Sequence, residues 1–299
     1  MSNPSQYLVT TDWLAQHLDR PQHEPQHEPQ VVVVDCRFSL PEPTLGWQQY
    51  QAGHIPGAHY LDLNRDLSSS VQTHGGRHPL PDWGQFVKTL NRLGIQSSPP
   101  TRVVAYDDSR FAFAARLWWM LRYLGHDHVA ILDGGIGAWR AAGLPLSQDL
   151  PTTTRSGPFT PQPRSDWLVD IDAVRHRSKT ALLIDSRSAE RFRGEAEPID
   201  PIAGAVPGAV NAFWKEVTDD SGRLKSAAAL AEHWRMIDDA DSDADSDTDS
   251  DADNDTDEVM VYCGSGVTAC VNLFSRVMAG KPMGKLYPGG WSDWCSYLV

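Results

Sequence analysis

The sequence predicts an α/β protein made of two tandem domains, each a mainly parallel sheet flanked by helices. Two observations support this prediction. Short runs rich in Val, Ile and Leu alternate with helical patterns along most of the 299 residues, as in sheets covered by helices. The same order of motifs then occurs twice, roughly 150 residues apart, which indicates a duplicated domain.

The first half alternates strands and helices from its start. Tyr7 opens a strand that leads into a helix capped near Thr11, and the run Val31–Val34 predicts a buried strand ending at Asp35. The patterns that follow predict helices over 82–93, 111–124 and 136–142, and strands over 102–106 and 129–132. The repeated Gln-His-Glu-Pro at 22–29 favours a solvated loop over a metal site at His23 and His27.

Four pairs of motifs align the two halves. Asp35 corresponds to Asp185, Pro56 to Pro207, Tyr106 to Tyr262, and Gly134-Gly135 to Gly289-Gly290. In this register Asp107 occupies the position of Cys263, so the first domain lacks the nucleophile that the second carries. We assign the first domain to residues 1–147, a Pro-, Thr- and Ser-rich linker to 148–165 and the catalytic domain to 166–299.

Cys263 is the candidate reactive residue. The run Val259–Tyr262 predicts a buried strand, Gly264 and Gly266 permit a tight loop, and a helix is predicted from Val267 to Ala279. Cys263 is therefore expected where a strand ends and faces loop amides, which favours the nucleophilic thiolate. The alternative is a buried thiol that acts only as a small apolar side chain.

The composition limits the classes of protein to which this chain can belong. No apolar run reaches the roughly 20 residues of a membrane span, and the N-terminal region has no signal-peptide pattern, so a cytoplasmic protein without a membrane partner is expected. The four cysteines suit a reducing compartment and lack metal-ligand spacing, so neither a metal nor a cofactor is expected.

An acidic tract at residues 238–258 accounts for nearly all of the net charge of -13. The remainder of the chain is close to neutral, so a nucleic-acid partner is not expected. The tract itself predicts a disordered insertion in a surface loop, because its acids repel one another and offer no apolar surface. Calcium binding is the alternative, although the Gly and terminal Glu of a calcium loop are missing.

These motifs resemble the tandem-rhodanese sulfurtransferases. The resemblance rests on Val34-Asp35-Cys36-Arg37, Gly53-His54-Ile55-Pro56-Gly57-Ala58, Leu132-Asp133-Gly134-Gly135 and Cys263-Gly264-Ser265-Gly266-Val267-Thr268-Ala269. It implies two rhodanese-like domains, a catalytically silent first domain, and a persulfide carried on Cys263. The implied activity is that of a 3-mercaptopyruvate or thiosulfate sulfurtransferase.

The resemblance also implies the donor and the acceptor. Thiosulfate enzymes of the family tend to have Arg and Lys after the cysteine, whereas this chain has the neutral Gly264 and Ser265, which favours 3-mercaptopyruvate. Thiosulfate remains the alternative donor. The implied acceptor is a thiol, such as thioredoxin or a small thiol, or cyanide, and a monomer is expected.

Substrate-binding residues follow from the same resemblance. Arg191 matches the arginine that holds the substrate carboxylate, a role that suits a bidentate guanidinium. The loop residues Gly264, Gly266, Val267 and Thr268 surround the substrate. Arg187 is expected to have a structural role, and Arg193 is unassigned. Asp200 stands near the place where some relatives have a second arginine, which weakens the expected affinity for mercaptopyruvate.

A Ser-His-acid relay is the last implied feature. Ser265 matches the serine and His78 the histidine, whereas Asn64 falls at the acid position, so a full relay is not expected. An exposed loop histidine is the alternative interpretation of His78. Cys270 is a candidate for a protective disulfide with Cys263.

Two other functions are compatible with a reactive cysteine in a loop. A Cys-dependent phosphatase needs an arginine that closes the loop, and Ala269 stands at that place, which argues against it. A non-enzymatic persulfide carrier or protein-binding module, with the acidic tract as its docking arm, remains open.

Overall fold

A computed structural model of the chain describes residues 4–18, 31–151, 157–242 and 258–299. The chain divides into two compact units. Unit 1 contains Met1–Ser70, Leu80–Arg164 and Thr218–Leu224, and unit 2 contains Val71–Pro79, Ser165–Val217 and Lys225–Val299. Each unit therefore includes a short segment from the sequence half that otherwise belongs to the other, which the sequence pattern did not predict.

Unit 1 is built on a parallel sheet, as predicted. Its strands are β1 (Leu8–Val9), β2 (Val31–Asp35), β3 (His59–Tyr60), β4 (Arg102–Tyr106) and β5 (Val129–Leu132). They lie in the order β1-β5-β4-β2-β3, and every neighbouring pair is parallel. The core includes Val33, Val104 and Trp139, so the valine-rich strands are buried as their composition predicted.

The four predicted helices of unit 1 occur in the predicted order, one with a shifted start, and the helix at Leu45–Ala52 was not predicted. They are α1 (Thr11–Leu18), α2 (Leu45–Ala52), α3 (Trp83–Arg92), α4 (Ala114–Tyr123) and α5 (Gly135–Ala141). The helix predicted from residue 111 begins at Ala114, because Arg110 and Phe111 have φ angles of 56° and 70°. Such angles cannot continue a right-handed helix.

Unit 2 repeats this arrangement. Its elements are α6 (Ile171–Arg175), β6 (Leu182–Asp185), α7 (Ala189–Phe192), β7 (Val210–Asn211), α8 (Ala227–Ser242), β8 (Val259–Tyr262), α9 (Ala269–Met278), β9 (Lys285–Leu286) and α10 (Gly290–Cys295). The parallel strands lie in the order β7-β6-β8-β9, which matches β3-β2-β4-β5 of unit 1. β7 and β8 lie on opposite sides of β6 in the sheet. The carboxyl end of β6 therefore lies at a switch point of the strand order, which is where open α/β sheets bind ligands.

A buried Asp–Arg ion pair of the same kind lies at the end of β2 in unit 1 and of β6 in unit 2. Arg37 Nη2 lies 2.6 Å from Asp35 Oδ2, and Arg187 Nη2 lies 2.6 Å from Asp185 Oδ2. All four side chains are almost completely buried. Arg187 thus has the structural role that the sequence predicted.

Two regions differ from the sequence-based expectations. The acidic tract was expected to be disordered from residue 238, but residues 238–242 belong to α8. Asp238 accepts hydrogen bonds from Arg276 Nη1 and Lys281 Nζ, both at 2.8 Å. These two cations hold the first residues of the tract in place at the end of α8. Residues 243–257 of the tract and the Gln-His-Glu-Pro repeat at 22–29 lie outside the described residues.

Part of the predicted linker is packed in unit 1. The backbone N–H groups of Gln162 and Arg164 donate to the carbonyls of Leu124 and Tyr123, at 2.9 and 2.8 Å, and Phe159 is buried. Residues 157–164 are therefore an integral part of the unit, while 152–156 lie outside the described residues. Among the helices of the described ranges, none has the length and apolar character of a membrane span.

Candidate active site

The loop after β8 holds Cys263 at the carboxyl end of the strand, as predicted. The Cys263 carbonyl accepts a hydrogen bond from Trp291 N–H at 2.8 Å, and the Gly264 carbonyl accepts one from Ser292 N–H at 2.9 Å, so the start of α10 fastens the loop. Gly290 has φ 61°, and a Cβ there would lie 2.4 Å from the Cys263 carbonyl oxygen. Only glycine permits this close approach. Cys263 is 2% exposed.

The loop then turns into α9. Gly266 has φ 69°, and a Cβ there would lie 2.3 Å from the Pro288 carbonyl oxygen, so this glycine is required for the turn. Val267 is buried and Thr268 is half-buried at the residue before the helix. The loop residues predicted to bind substrate are thus placed together, between Cys263 and the N-terminus of α9.

Ser265 and His78 are hydrogen-bonded to each other. Ser265 Oγ lies 2.7 Å from His78 Nδ1, and both residues are largely buried. His78 belongs to the segment 71–79, which is part of unit 2. The contact brings together the two residues that the sequence paired, and their catalytic role stays a prediction. The alternative of an exposed loop histidine is wrong, since His78 is 7% exposed.

Asp293 in α10 fixes the segment that carries His78. Its two carboxylate oxygens accept hydrogen bonds from Gly75 N–H and from the Tyr287 hydroxyl, each at 2.6 Å. His74 Nδ1 lies 2.7 Å from Ser296 Oγ, and a Cβ on Gly76 would lie 2.3 Å from the Gly289 carbonyl oxygen. These contacts hold residues 74–76 against the end of unit 2. Sequence reasoning missed the role of Asp293, because nothing in the local pattern marks it.

Arg191 lies in α7, beside two acids. Its Nη2 is 2.8 Å from Glu197 Oε1 and 3.2 Å from Asp200 Oδ2. Glu197 also accepts from Arg187 Nη1 at 3.2 Å, which links the predicted substrate arginine to the buried ion pair at the end of β6. Arg193, by contrast, forms an exposed pair with Glu195. Two carboxylates thus orient the Arg191 guanidinium.

Arg77 is a site residue that the sequence analysis missed. Its guanidinium forms an ion pair with Asp200 and lies beside Gly264, where a Cβ would be 2.9 Å from Arg77 Nη2 and 3.5 Å from Arg191 Nη2. Burial, and then the neighbouring guanidinium of Arg191, lower the pKa of Arg77. Its position next to His78 in the sequence was the available signal.

The remaining candidates take no direct part in this arrangement. Cys270 is a buried thiol rather than half of a disulfide, and its Sγ donates to the Gly266 carbonyl oxygen at 3.5 Å. Asn64 belongs to unit 1, where its backbone N–H donates to Asp62 Oδ1 at 2.9 Å. Within the described ranges, no group of three or more His, Cys, Asp or Glu side chains is arranged to hold a metal ion.

Unit 1 contains a counterpart of the loop in which Asp107 replaces the cysteine. Asp107 Oδ1 accepts from the backbone N–H groups of Ser109 and Phe111, at 2.8 and 3.1 Å, and Oδ2 accepts from those of Phe113 and Ala114, both at 2.9 Å. Burial raises the pKa of Asp107, and the backbone hydrogen bonds oppose that rise. The Asp107 carboxylate therefore accepts the hydrogen bonds that the backbone N–H groups of its own loop can donate.

A cavity of about 250 Å³ adjoins this loop within unit 1. Its lining includes Asp107, Arg110 and Gly222. Arg110 Nη1 lies 3.2 Å from Thr218 Oγ1, so the segment 218–224 packs beside the loop. The cavity has no thiol or other strong nucleophile among its lining residues.

Comparisons with known proteins bear on the family of this chain and on its fold. Residues 10–142 and 170–297 each match the rhodanese-like domain family. The chain is 41% identical to a protein of Pseudomonas aeruginosa named a probable 3-mercaptopyruvate sulfurtransferase, over 97% of this chain and 95% of that one. It is 36% identical to a protein of Mycobacterium tuberculosis provisionally named a thiosulfate sulfurtransferase, over 89% and 88%. A solved 3-mercaptopyruvate sulfurtransferase from Leishmania major superimposes with a TM-score of 0.78 at 28% identity, covering 99% of this chain and 76% of that one.

Proposed function

This chain belongs to the rhodanese family as a tandem pair of rhodanese-like domains, and we propose that it moves sulfur from 3-mercaptopyruvate, through a persulfide on Cys263, to a thiol or cyanide. The enzyme is a sulfurtransferase. The observation that carries the proposal is the position of Cys263 at the end of β8, beside the hydrogen-bonded Ser265 and His78. Unit 1 has a carboxylate at the same place and is catalytically silent in this proposal.

The first half-reaction forms the persulfide. The Cys263 thiolate attacks the sulfur of 3-mercaptopyruvate, the carbon–sulfur bond breaks, and the electron pair leaves with the three-carbon fragment as an enolate. The enolate takes up one proton and becomes pyruvate. Ser265, bonded to His78 at 2.7 Å, is positioned to deliver that proton, and the loop amides stabilise negative charge on the sulfur.

The second half-reaction regenerates the thiolate. A thiolate or cyanide attacks the outer sulfur, the sulfur–sulfur bond breaks, and Cys263 leaves with the electron pair. The products are an acceptor persulfide or thiocyanate. Thioredoxin and small thiols are the proposed cellular acceptors. The enzyme is proposed to be a monomer in the cytoplasm, where its cysteine thiols stay reduced.

The charge around the loop supports a monoanionic 2-oxo acid as the donor. Arg191 is the proposed carboxylate-binding residue, because a guanidinium can hold a carboxylate with two parallel hydrogen bonds. Gly264 and Ser265 add no charge next to Cys263. Glu197 and Asp200 balance the charge of the nearby guanidiniums, which disfavours a dianionic sulfonate.

Thiosulfate is the second candidate donor, and the similarity to the Mycobacterium tuberculosis protein favours it. Turnover with 3-mercaptopyruvate and with thiosulfate should be measured side by side at matched cyanide concentration. We expect a higher kcat/KM with mercaptopyruvate. A clear preference for thiosulfate would overturn the proposed donor while leaving the persulfide intact.

Mass spectrometry after exposure to donor tests the persulfide. One added sulfur is expected on Cys263, and Cys263→Ser should lose both this sulfur and turnover, by at least about 1,000-fold. Cys295→Ser is the matched control, since the Cys295 thiol donates to the Ile202 carbonyl and a hydroxyl can do the same. Sulfur transfer retained by Cys263→Ser would show that another group carries the sulfur.

The carrier function is tested through the acidic tract. The variant replaces residues 243–257 with a flexible Gly-Ser linker and retains Asp238 and Glu258, which are bonded to Arg276, Lys281 and Lys285. We expect turnover with cyanide and with thioredoxin to stay within about twofold, as for an insertion in a surface loop. Loss of the thioredoxin reaction alone would instead assign the tract a docking role.

A further inference from the structure

Two guanidinium groups face the residue that follows the proposed nucleophile. A Cβ on Gly264 would lie 2.9 Å from Arg77 Nη2, 3.5 Å from Arg191 Nη2 and 3.6 Å from Arg191 Nη1. The side chains of Arg77 and Arg191 are 27% and 17% exposed, so neither is sealed from solvent. Two cations that are partly open to solvent therefore lie beside the residue that follows Cys263.

Asp200 bridges these two cations. Its Oδ1 is paired with Arg77 Nη1, and its Oδ2 lies 3.2 Å from Arg191 Nη2. The Asp200 side chain is 2% exposed, and its backbone N–H donates to Glu197 Oε1 at 3.1 Å. One carboxylate is thus held between the two guanidiniums, which is the arrangement that a substrate carboxylate beside Gly264 would require.

The position of Arg77 is determined by the segment that carries it. Gly75 is bonded to Asp293, Gly76 packs on the Gly289 carbonyl, and His78 is bonded to Ser265. The backbone of Arg77 is therefore held on both sides. Little further conformational entropy is lost when its guanidinium lies over the loop. A solvated surface arginine would not have these neighbours.

We infer that Arg77 is the second carboxylate-binding residue of the site, so that the donor carboxylate is held between Arg77 and Arg191 beside Gly264. Asp200 holds the same two guanidiniums when no donor is bound and competes with the donor for them. This inference rests on the proposed function, because it assigns a contact to the donor of that reaction.

Substitutions of Arg77 and of Asp200 are expected to change KM in opposite directions. Arg77→Gln should raise KM for 3-mercaptopyruvate about tenfold with kcat changed less than about threefold, since it removes one charged hydrogen bond to the bound donor. Arg77→Lys should recover part of the loss, because a lysine keeps the charge without the fork. Asp200→Asn should lower KM severalfold, because the competing charge is gone.

Arg193→Gln is the matched control, because this arginine lies in the same region but is paired with Glu195 at the surface. Its KM should equal that of the unmodified enzyme. Thermal unfolding of each variant identifies any loss that comes from misfolding. An unchanged KM in Arg77→Gln, or a higher KM in Asp200→Asn with unaltered unfolding, would overturn the inference.

A second measurement separates this inference from the proposed function. The rates at which iodoacetate and iodoacetamide alkylate Cys263 should be compared, with Cys263→Ser as the blank. The two reagents differ in carrying a carboxylate, so their rate ratio reports the cations beside the loop without any sulfur donor. Arg77→Gln should lower the ratio about fivefold and Asp200→Asn should raise it, as expected for short-range charge interactions. An unchanged ratio contradicts the inference even if mercaptopyruvate proves not to be the donor.

Discussion

The loops after β4 and β8 have the same backbone arrangement but carry different side chains at the equivalent position, Asp107 in the first and Cys263 in the second. In both, a glycine with positive φ packs against the carbonyl of the residue that follows the strand: Gly135 on Asp107 and Gly290 on Cys263. In both, a neighbouring strand ends in a buried Asp–Arg pair. The scaffold was thus retained in the two units independently of the chemistry.

The side chain decides what the loop amides do. Asp107 accepts four backbone hydrogen bonds and so consumes the anion-binding capacity of its loop inside the protein. A thiol is a weak acceptor and cannot satisfy amides in this way. The comparison teaches that a loop without the cysteine can keep the same backbone arrangement when a carboxylate of the protein binds its amides.

The glycine pair offers the strongest test of this comparison. A Cβ would lie 2.1 Å from the Asp107 carbonyl oxygen in Gly135→Ala and 2.4 Å from the Cys263 carbonyl oxygen in Gly290→Ala. Each substitution should lower the free energy of unfolding by about 3 kcal/mol or more. Gly290→Ala should also reduce kcat/KM about 100-fold, because it displaces the nucleophile.

Denaturant unfolding and steady-state kinetics check this prediction. Gly137→Ala is the control, since a Cβ there has no atom within 4 Å. If Gly135→Ala lost as much activity as Gly290→Ala while remaining folded, the two loops would not be functionally separate.

Asp107→Asn tests whether the silent loop depends on its internal anion. An amide has an acceptor on one side only, so two of the four backbone N–H groups would lose their partner. We expect a loss of about 3 kcal/mol in the free energy of unfolding with kcat/KM within about twofold. Asp108→Asn serves as the exposed neighbour control. A stable Asp107→Asn would mean that the bonds to the loop contribute little.

The contact between Ser265 and His78 gives the smallest expected effect. Each of Ser265→Ala and His78→Gln should lower kcat with mercaptopyruvate about tenfold, by removing the proton donor or its partner. Because the two groups act together, the double variant should lose little more than either single one. Turnover measured in all four proteins checks this, and a loss near 100-fold in the double variant would show that the residues act separately.

Local sequence pattern predicted much of the fold. The valine-rich strands, the glycine-marked turns and the duplicated order of motifs are signals that a short window carries, and they led to β2, β4, β6 and β8 and to the place of Cys263. Helix starts were less accurate. α4 begins at Ala114 because Arg110 and Phe111 have positive φ, and the Asp107 carboxylate binds the amides of Phe113 and Ala114, a contact that no periodicity reveals.

The parts that sequence did not predict depend on contacts between distant segments. Arg77 lies 123 residues before its partner Asp200, and Gly75 lies 218 residues before Asp293. Neither spacing repeats or follows a motif. Asp200 looked like a departure from the family pattern, and only the structure gives it a partner in the segment 71–79.

The location of residues 71–79 in unit 2 limits how the duplicated chain can evolve. A gene fragment that encoded only residues 166–299 would lack Arg77 and His78, although both lie in unit 2. Under the proposed reaction, the half of the chain that carries Cys263 could not be inherited by itself, because the other half encodes two of the side chains it uses.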